Sequence, residues 1–548
     1  MKTMPTLAVT TVRTRRFFLT AAVAAFAVMW GIWLPANASA SHWQIAIISD
    51  PDDLAAPQQT LAQFRELGAT TVRVVVPWAT IAPKPRSVKK PSFNATNPNA
   101  YPAGAWAPYD TLVHTAQHDG LTVDFTISGG APRWAEGPGV PKGGGNLRFA
   151  WQPSPAAYGQ FVRAVGTRYD GHFTPAGDSS PLPEVHFWTI FNEPNFGEDL
   201  APQAIDGSRV SVAPMMYRKL VHAGWSALHA TGHGRDTILI GGLSSQGTSA
   251  PRSKRAPQGY PGNYGQTKPL IFIRTLYCVG SNYRLLRGSA ATSVGCPTSA
   301  AGSRKFRSQN PGLFNASGMA AHPNSALSPV AGHSDPNFAT FADLGRVEHT
   351  LDKVNQAYGS GKRYDIYSDE YGYITHPPAV SGFVSPATAA YYINWAEYLS
   401  WKNPRVASYS QYLLKDPSPV NSFPGYASGL EYSNGQPKPS YNAYRLPLYL
   451  PQTSFARRAS VEVWGDVRPA PFMQRDGNGP QTVSIQLNHK TISTVTATDS
   501  GGYFDLHMKF ATSGTVRLAY TYPRSDPFLP LGTAGSTVYS RNVSIDVH

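Results

Sequence analysis

The sequence predicts a (β/α)8 barrel followed by a small antiparallel β-sandwich, and three observations point there. Eight β-type apolar runs alternate with amphipathic segments over residues 42–414, the pattern of a parallel α/β fold. No Gly-x-Gly-x-x-Gly follows any of these runs and no phosphate-binding loop is present, which removes the doubly wound nucleotide-binding sheets that also alternate. From residue 460 the helical period disappears and short alternating runs separated by Gly and Pro turns take over, as in a β-sandwich of about ninety residues.

The barrel strands are read at 42–48 (HWQIAII), 70–76 (TTVRVVV), 121–127 (LTVDFTI), 185–191 (VHFWTIF), 237–243 (TILIGGL), 317–322 (SGMAAH, the weakest), 364–369 (YDIYSD) and 407–414 (ASYSQYLL). Between them, 57–67 places Leu61, Phe64 and Leu67 on one helical face, and 155–169 does the same with Tyr158, Phe161, Val162 and Val165. Further helical segments fall at 109–119, 214–230, 269–279, 344–358 and 387–401. The sandwich strands are read at 460–464, 482–487, 491–496, 503–509, 515–522 and 540–546. Their aromatics Trp464, Tyr503 and Phe504 alternate as core residues do, so structural support is preferred to sugar binding. The expected organisation is a leader at 1–40, the barrel at 41–450 and the sandwich at 455–548.

Composition limits the function. Of 548 residues, 41% are hydrophobic and 15% charged, which excludes a disordered chain. The one long apolar run is N-terminal, which excludes a polytopic membrane protein. Arg13, Arg15 and Arg16 precede an apolar stretch at 21–34 that ends in Ala36-Asn37-Ala38 and Ala38-Ser39-Ala40, the parts of a cleavable signal peptide. The run Thr14-Arg15-Arg16-Phe17-Phe18-Leu19 resembles a twin-arginine signal. The expectation is a bacterial protein, secreted or in the cell envelope, with no stable membrane insertion after cleavage.

Losing the leader takes the net charge from +14 to +10. The basic groups Lys84, Arg86, Lys89, Lys90 and Arg252, Lys254, Arg255 lie among Pro, Ser and Gly and read as solvated loops; nucleic acid is not an expected partner. Cys278 and Cys296 are the only cysteines, and a disulfide between them is worth ~3 kcal/mol in the chain-entropy model. No metal-ligand spacing appears among the fifteen histidines, so neither metal nor cofactor is expected. A monomer is expected.

Two motifs carry chemistry. Strand four runs into Asn192-Glu193-Pro194-Asn195, and strand seven into Asp369-Glu370-Tyr371-Gly372. In a barrel both reach the C-terminal rim, where active sites lie. Two carboxyls facing each other there are what glycosidic hydrolysis needs, one to protonate the departing oxygen and one ionised. Trp78, Trp134 and Tyr373, near strand ends, are candidate sugar platforms. Glu198 and Asp199 are read as loop residues a few positions beyond the strand end, with contact to distant sugar units as the less favoured alternative.

These motifs resemble those of the clan A retaining glycoside hydrolases, most of all family 39, with family 5 close behind, over about residues 42–450. The resemblance implies Glu193 as acid/base, Glu370 as nucleophile, Asn192 on the sugar 2-hydroxyl, Arg73 beneath Glu370 and His322 lining the same pocket. It implies a poly- or oligosaccharide substrate cleaved by double displacement. A non-catalytic carbohydrate-binding or envelope-scaffold protein on such a barrel, and a transglycosidase, are the alternatives. Two departures stand out: Asn324 occupies a position where related barrels carry a Tyr bonded to the nucleophile, and strand eight offers Tyr409, Gln411 and Tyr412 in place of a Trp.

Overall fold

The computed structural model describes residue 41 and residues 44–548, apart from 142–144, 206–207, 209, 249–261, 381, 420–425, 498 and 531. The expected leader and the group Arg252, Lys254 and Arg255 lie outside the described residues. Among the described residues no helix is long and apolar enough to cross a membrane.

Eight parallel strands close in chain order into one barrel: β1 (Ile45–Ser49), β2 (Thr71–Pro77), β3 (Thr122–Ser128), β4 (Phe187–Ile190), β5 (Thr237–Ser244), β6 (Gly318–His322), β7 (Asp365–Ser368) and β8 (Val406–Tyr412). Every expected strand is present, with edges moved by at most three residues. The main covering helices are α1 (Pro57–Glu66), α2 (Ala107–Asp119), α3 (Pro155–Arg168), α4 (Ala213–Ala230), α5 (Pro269–Leu276), α6 (Ala300–Gln309), α7 (Leu344–Gln356) and α8 (Pro386–Lys402). Proline stands at the first or second position of α1–α5 and α8, where its missing N–H leaves no helical bond unmade. The hydroxyls of Ser154 and Ser385 cap α3 and α8 by accepting from Ala157 N and Thr388 N. Tyr158, Phe161, Val162 and Val165 of α3 are buried, as their spacing requires.

The barrel interior is polar near its C-terminal mouth. Arg73 on β2 stands in register with Asp124 on β3, whose carboxyl accepts from Thr189 Oγ1 on β4 at 3.1 Å. All three are at most 2% exposed. Charge is thus built into strands that otherwise read as apolar runs buried on both faces.

Two sheets complete the fold. One holds β9 (Leu448–Tyr449), β11 (Val461–Asp466) and β14 (Tyr503–Met508); the other holds β10 (Ser454–Phe455), β12 (Gln481–Leu487), β13 (Lys490–Ala497), β15 (Gly514–Thr521), β16 (Thr537–Tyr539) and β17 (Val543–Val547). All pairings are antiparallel except β10 with β17. Trp464, Tyr503 and Phe504 are core residues at 0%, 5% and 8% exposure, as expected. The sequence reading assigned 448–449 to the barrel; the structure pairs them with β11, and Ser41–His548 forms one compact unit.

The reason is a buried polar junction at the N-terminal ends of the barrel strands. Arg468, just past β11, bonds Glu397 of α8 and donates through Nε to Tyr444 O at 2.8 Å. Tyr503 Oη reaches Gln44 Oε1 and Glu397 Oε1, each at 3.4 Å. Arg65 of α1 pairs with Asp476, and Arg445 with Glu66 at 2.7 Å. The backbones come so close that a Cβ on Gly68, itself at φ +79°, would lie 2.3 Å from the Arg468 carbonyl carbon. Glu397→Ala would remove the nearer of the two carboxyls facing Arg468, leaving only Asp466 at 3.6 Å, and removing one partner of a buried pair costs about 3–5 kcal/mol. Urea denaturation followed by tryptophan fluorescence should show that loss in a single transition, with barrel and sandwich unfolding together.

Candidate active site

The chain leaves β4 through a strained corner. Phe191 and Glu193 hold φ of +74° and +35°, values uncommon for side-chain-bearing residues and concentrated at functional sites. The Phe191 ring is fully buried, and a Cβ on Gly129 would lie 2.3 Å from it. Phe191 N still donates to Ile127 O at 3.1 Å, and Glu193 N donates to Gly242 O at 3.0 Å. Asn195, the last residue of the motif, staples the loop to the end of β5: its Nδ2 donates to Ser244 O and Thr267 O, both at 3.0 Å, and its Oδ1 accepts from Ser244 N at 2.9 Å. The corner therefore aims Asn192 and Glu193 over the barrel mouth.

On the other side, the residues after β7 supply Asp369 and Glu370. Arg73 rises between the two motifs. Its Nη1 donates to Glu370 Oε2 at 3.2 Å, its Nη2 to Asn192 Oδ1 at 2.7 Å, and its Nε lies 3.2 Å from Asp369 Oδ2. His322, at the end of β6, has Nδ1 2.8 Å from Glu193 Oε1 and 3.5 Å from Glu370 Oε2, with Nε2 3.6 Å from Asp369 Oδ1. Carboxylate oxygens of Glu193 and Glu370 and a ring nitrogen of His322 all lie within 4.8 Å of one another. Arg73, Asn192, Glu193, His322 and Glu370 thus converge as the sequence reading expected.

Burial opposes the charged form of His322, but Glu370, Asp369 and the bond to Glu193 outweigh it and push the ring up to about 10. The imidazole is then an imidazolium at neutral pH, donating from Nδ1 to Glu193 and directing Nε2–H toward Asp369. Glu193, His322 and Glu370 also have the spacing of a metal-ligand set. Burial raises Glu370 above the ordinary carboxyl range, with His322 and Arg73 working against that rise. Asp369 is lowered: burial is overcome by His322 and Arg73. Asp124, deeper in the barrel, is pushed up to about 7 by burial and by Asp369, against Arg73 and the Thr189 hydroxyl.

Several site residues escaped the sequence reading or were misjudged. Asp199 belongs to the cluster at the mouth: it accepts from Asn192 Nδ2 at 3.3 Å, and burial and Glu193 raise its carboxyl well above the ordinary range. Trp78 is 1% exposed and packs among Trp134, Tyr158 and Phe161 at 5.9–6.0 Å. Tyr373 is 3% exposed, its hydroxyl donating to Leu327 O at 3.0 Å. Neither offers a ring face to a sugar. Trp134 is half-buried, with Nε1 donating to Pro83 O at 3.1 Å and the Lys90 ammonium 5.3 Å from its ring. The aromatics at the mouth are instead Tyr412, on whose hydroxyl Glu370 and Arg73 act, and the 51% exposed Tyr426, with ring centroids 6.4 Å apart. Asn324, the departure from the family pattern, uses Oδ1 to accept from Gly372 N at 3.0 Å and so fixes the chain just beyond Glu370. Cys278 and Cys296 form the expected disulfide.

A His raised from 6.5 to about 10 contributes stability that is fully present below about 6.5 and is lost as pH rises through about 10. The stability difference between wild type and His322→Gln, read from urea midpoints, should therefore shrink across that interval. A difference independent of pH would remove the imidazolium from the site.

No protein-family model matches the chain, and no curated protein matches it. Among solved structures it is similar to a glucosidase from Croceicoccus marinus, at 13% identity and a TM-score of 0.42, covering 94% of this chain and 82% of that one. It is also similar to an endo-β-1,4-mannanase from Thermotoga petrophila, at 11% and 0.39, covering 94% and 100%. A family 39 glycoside hydrolase from Bacteroides cellulosilyticus WH2 matches at 12% and 0.42, covering 86% and 80%. Likeness at this level carries no inference about activity, which must rest on the site itself.

Proposed function

We propose that the chain is an exported retaining O-glycoside hydrolase acting on a poly- or oligosaccharide, with Glu370 as nucleophile and Glu193 as acid/base. The observation that carries this reading is that one carboxylate oxygen of Glu193 and one of Glu370 lie within 4.8 Å of each other on the C-terminal rim. Retaining pairs stand about 5–5.5 Å apart, whereas an inverting pair needs roughly 6.5–9.5 Å to admit a water.

The contacts support a division of labour. Arg73 and His322 favour the ionised form of Glu370 against its burial, which a nucleophile requires. The proton for the leaving group belongs to the Glu193–His322 pair, whose atoms stand 2.8 Å apart. Glu370 attacks the anomeric carbon, the glycosidic bond breaks, and that proton passes through Glu193 to the departing oxygen. Glu370 is now a neutral ester, so His322 loses an anionic neighbour. Glu193 then takes a proton from water as the water attacks, the ester opens, and the pair regains its proton. Asn192, with Oδ1 held by Arg73 and Nδ2 facing Asp199, is positioned to meet a sugar hydroxyl beside the reacting carbon.

Glu370→Gln should abolish turnover of aryl glycosides and polysaccharides while leaving the circular dichroism spectrum unchanged. Glu193→Gln should spare the first step for good leaving groups and accumulate a glycosyl-enzyme visible by intact-protein mass spectrometry. Undiminished hydrolysis by both variants sinks the assignment, and retained sugar binding without any turnover by wild type points to a binding protein. For export, N-terminal sequencing of the protein recovered outside the cytoplasm should begin after Ala38 or Ala40.

A further inference from the structure

A second concavity lies outside the barrel. A cavity of about 690 Å³ is lined by Arg218, Lys219 and His222 of α4, the first turn of α3 at Pro155 and Ala156, the disulfide residue Cys296 and Phe306 of α6. Its volume is that of a small-molecule site. Its lining holds three side chains that carry or can take a positive charge and no carboxylate.

Arg218 distinguishes it. Of the seven arginines buried among the described residues, six are paired with acids: Arg65 with Asp476, Arg73 with Asp369 and Glu370, Arg168 with Asp110, Arg405 with Asp352, Arg445 with Glu66 and Arg468 with Glu397 and Asp466. Arg218, 7% exposed, has no such partner among the described residues. It donates to Leu276 O at 2.9 Å, to Gly295 O and Thr275 O at 3.0 Å, and to Cys296 Sγ at 3.5 Å. These four bonds leave one of the five guanidinium N–H groups uncommitted. The last carbonyls of α5 and the Phe306 ring 5.4 Å away offset part of the charge. Burial still pushes the guanidinium down to about 10. A buried cation without an anion is costly, and an anion entering the cavity would relieve that cost.

We infer that this cavity binds a small carboxylate of the sugar-acid type, with its carboxylate on Arg218 and Lys219 and its hydroxyls toward the Gln309 and Asn310 amides. The planar guanidinium favours a carboxylate, Lys219 and His222 are exposed beside it, and Gln309 and Asn310 line the same cavity with hydrogen-bonding amides for the hydroxyls. The Cys278–Cys296 bridge holds the wall that carries Gly295 and Cys296. This site is independent of the glycosidase reading and survives its failure.

Titration calorimetry on the whole protein, with sodium glucuronate as probe and methyl glucoside and inorganic phosphate as controls, tests it. Glucuronate should bind one saturable site and methyl glucoside should not. The exposed substitution Lys219→Glu should weaken glucuronate at least tenfold with the unfolding midpoint unchanged, and Arg218→Lys should weaken it further if that variant folds. Glu370→Gln should leave this binding intact. The proposal is overturned by absence of saturable binding, by equal affinity in Lys219→Glu, by phosphate binding as tightly as glucuronate, or by loss of the site in Glu370→Gln.

Discussion

Arg73 brings a permanent charge into the floor of the mouth, 2% exposed, and the surrounding groups are arranged around that fact. A guanidinium keeps its proton at neutral pH, so its burial calls for anions. Asp369 and Glu370 supply them at 3.2 Å, and Asn192 supplies a carbonyl at 2.7 Å. Because these acceptors come from the ends of β4 and β7, the guanidinium also fixes the distance between the two chemical motifs. Surplus negative charge then makes His322 an imidazolium, which in turn faces Glu193. One residue on β2 thereby ties together a cluster drawn from four strands and favours the ionised forms of Asp369 and Glu370.

How much of this was legible in the sequence follows from what each signal depends on. Parallel strands buried on both faces read as apolar runs, so all eight could be placed, and even Gly318–His322 was found from its position in the alternation. The short helices Gly288–Thr292, Ala300–Gln309 and Pro311–Asn315 escaped because Gly, Ser and Pro interrupt their period. Strands of two or three residues, such as Leu448–Tyr449 and Thr537–Tyr539, are too short to show alternation. Glu193 and Glu370 were visible because a carboxyl directly after a barrel strand must lie on the rim.

Roles that depend on three-dimensional neighbours were not. Asp199 is seven residues from Asn192, and nothing in that spacing says that the loop folds back to it. Trp78 follows β2 directly, yet the turn Trp78–Ile81 carries its ring into the layer beneath α3. A signal did exist for Asp124: a single acid in the apolar run LTVDFTI, like the single Arg in TTVRVVV, has to be matched inside a closed barrel. In register, the two face each other.

The location of the sandwich has a practical consequence for anyone reshaping this protein. Gln44, Glu66, Gly68 and Glu397 all reach it from the base of the barrel, far along the strands from Glu193 and Glu370. Trimming the chain after residue 450 would open that base to water and leave several ionised groups without their counterparts. Segments grafted onto the opposite rim would meet none of these ties. Specificity engineering therefore has a permissive end and a forbidden end, and the dividing plane runs across the strands themselves.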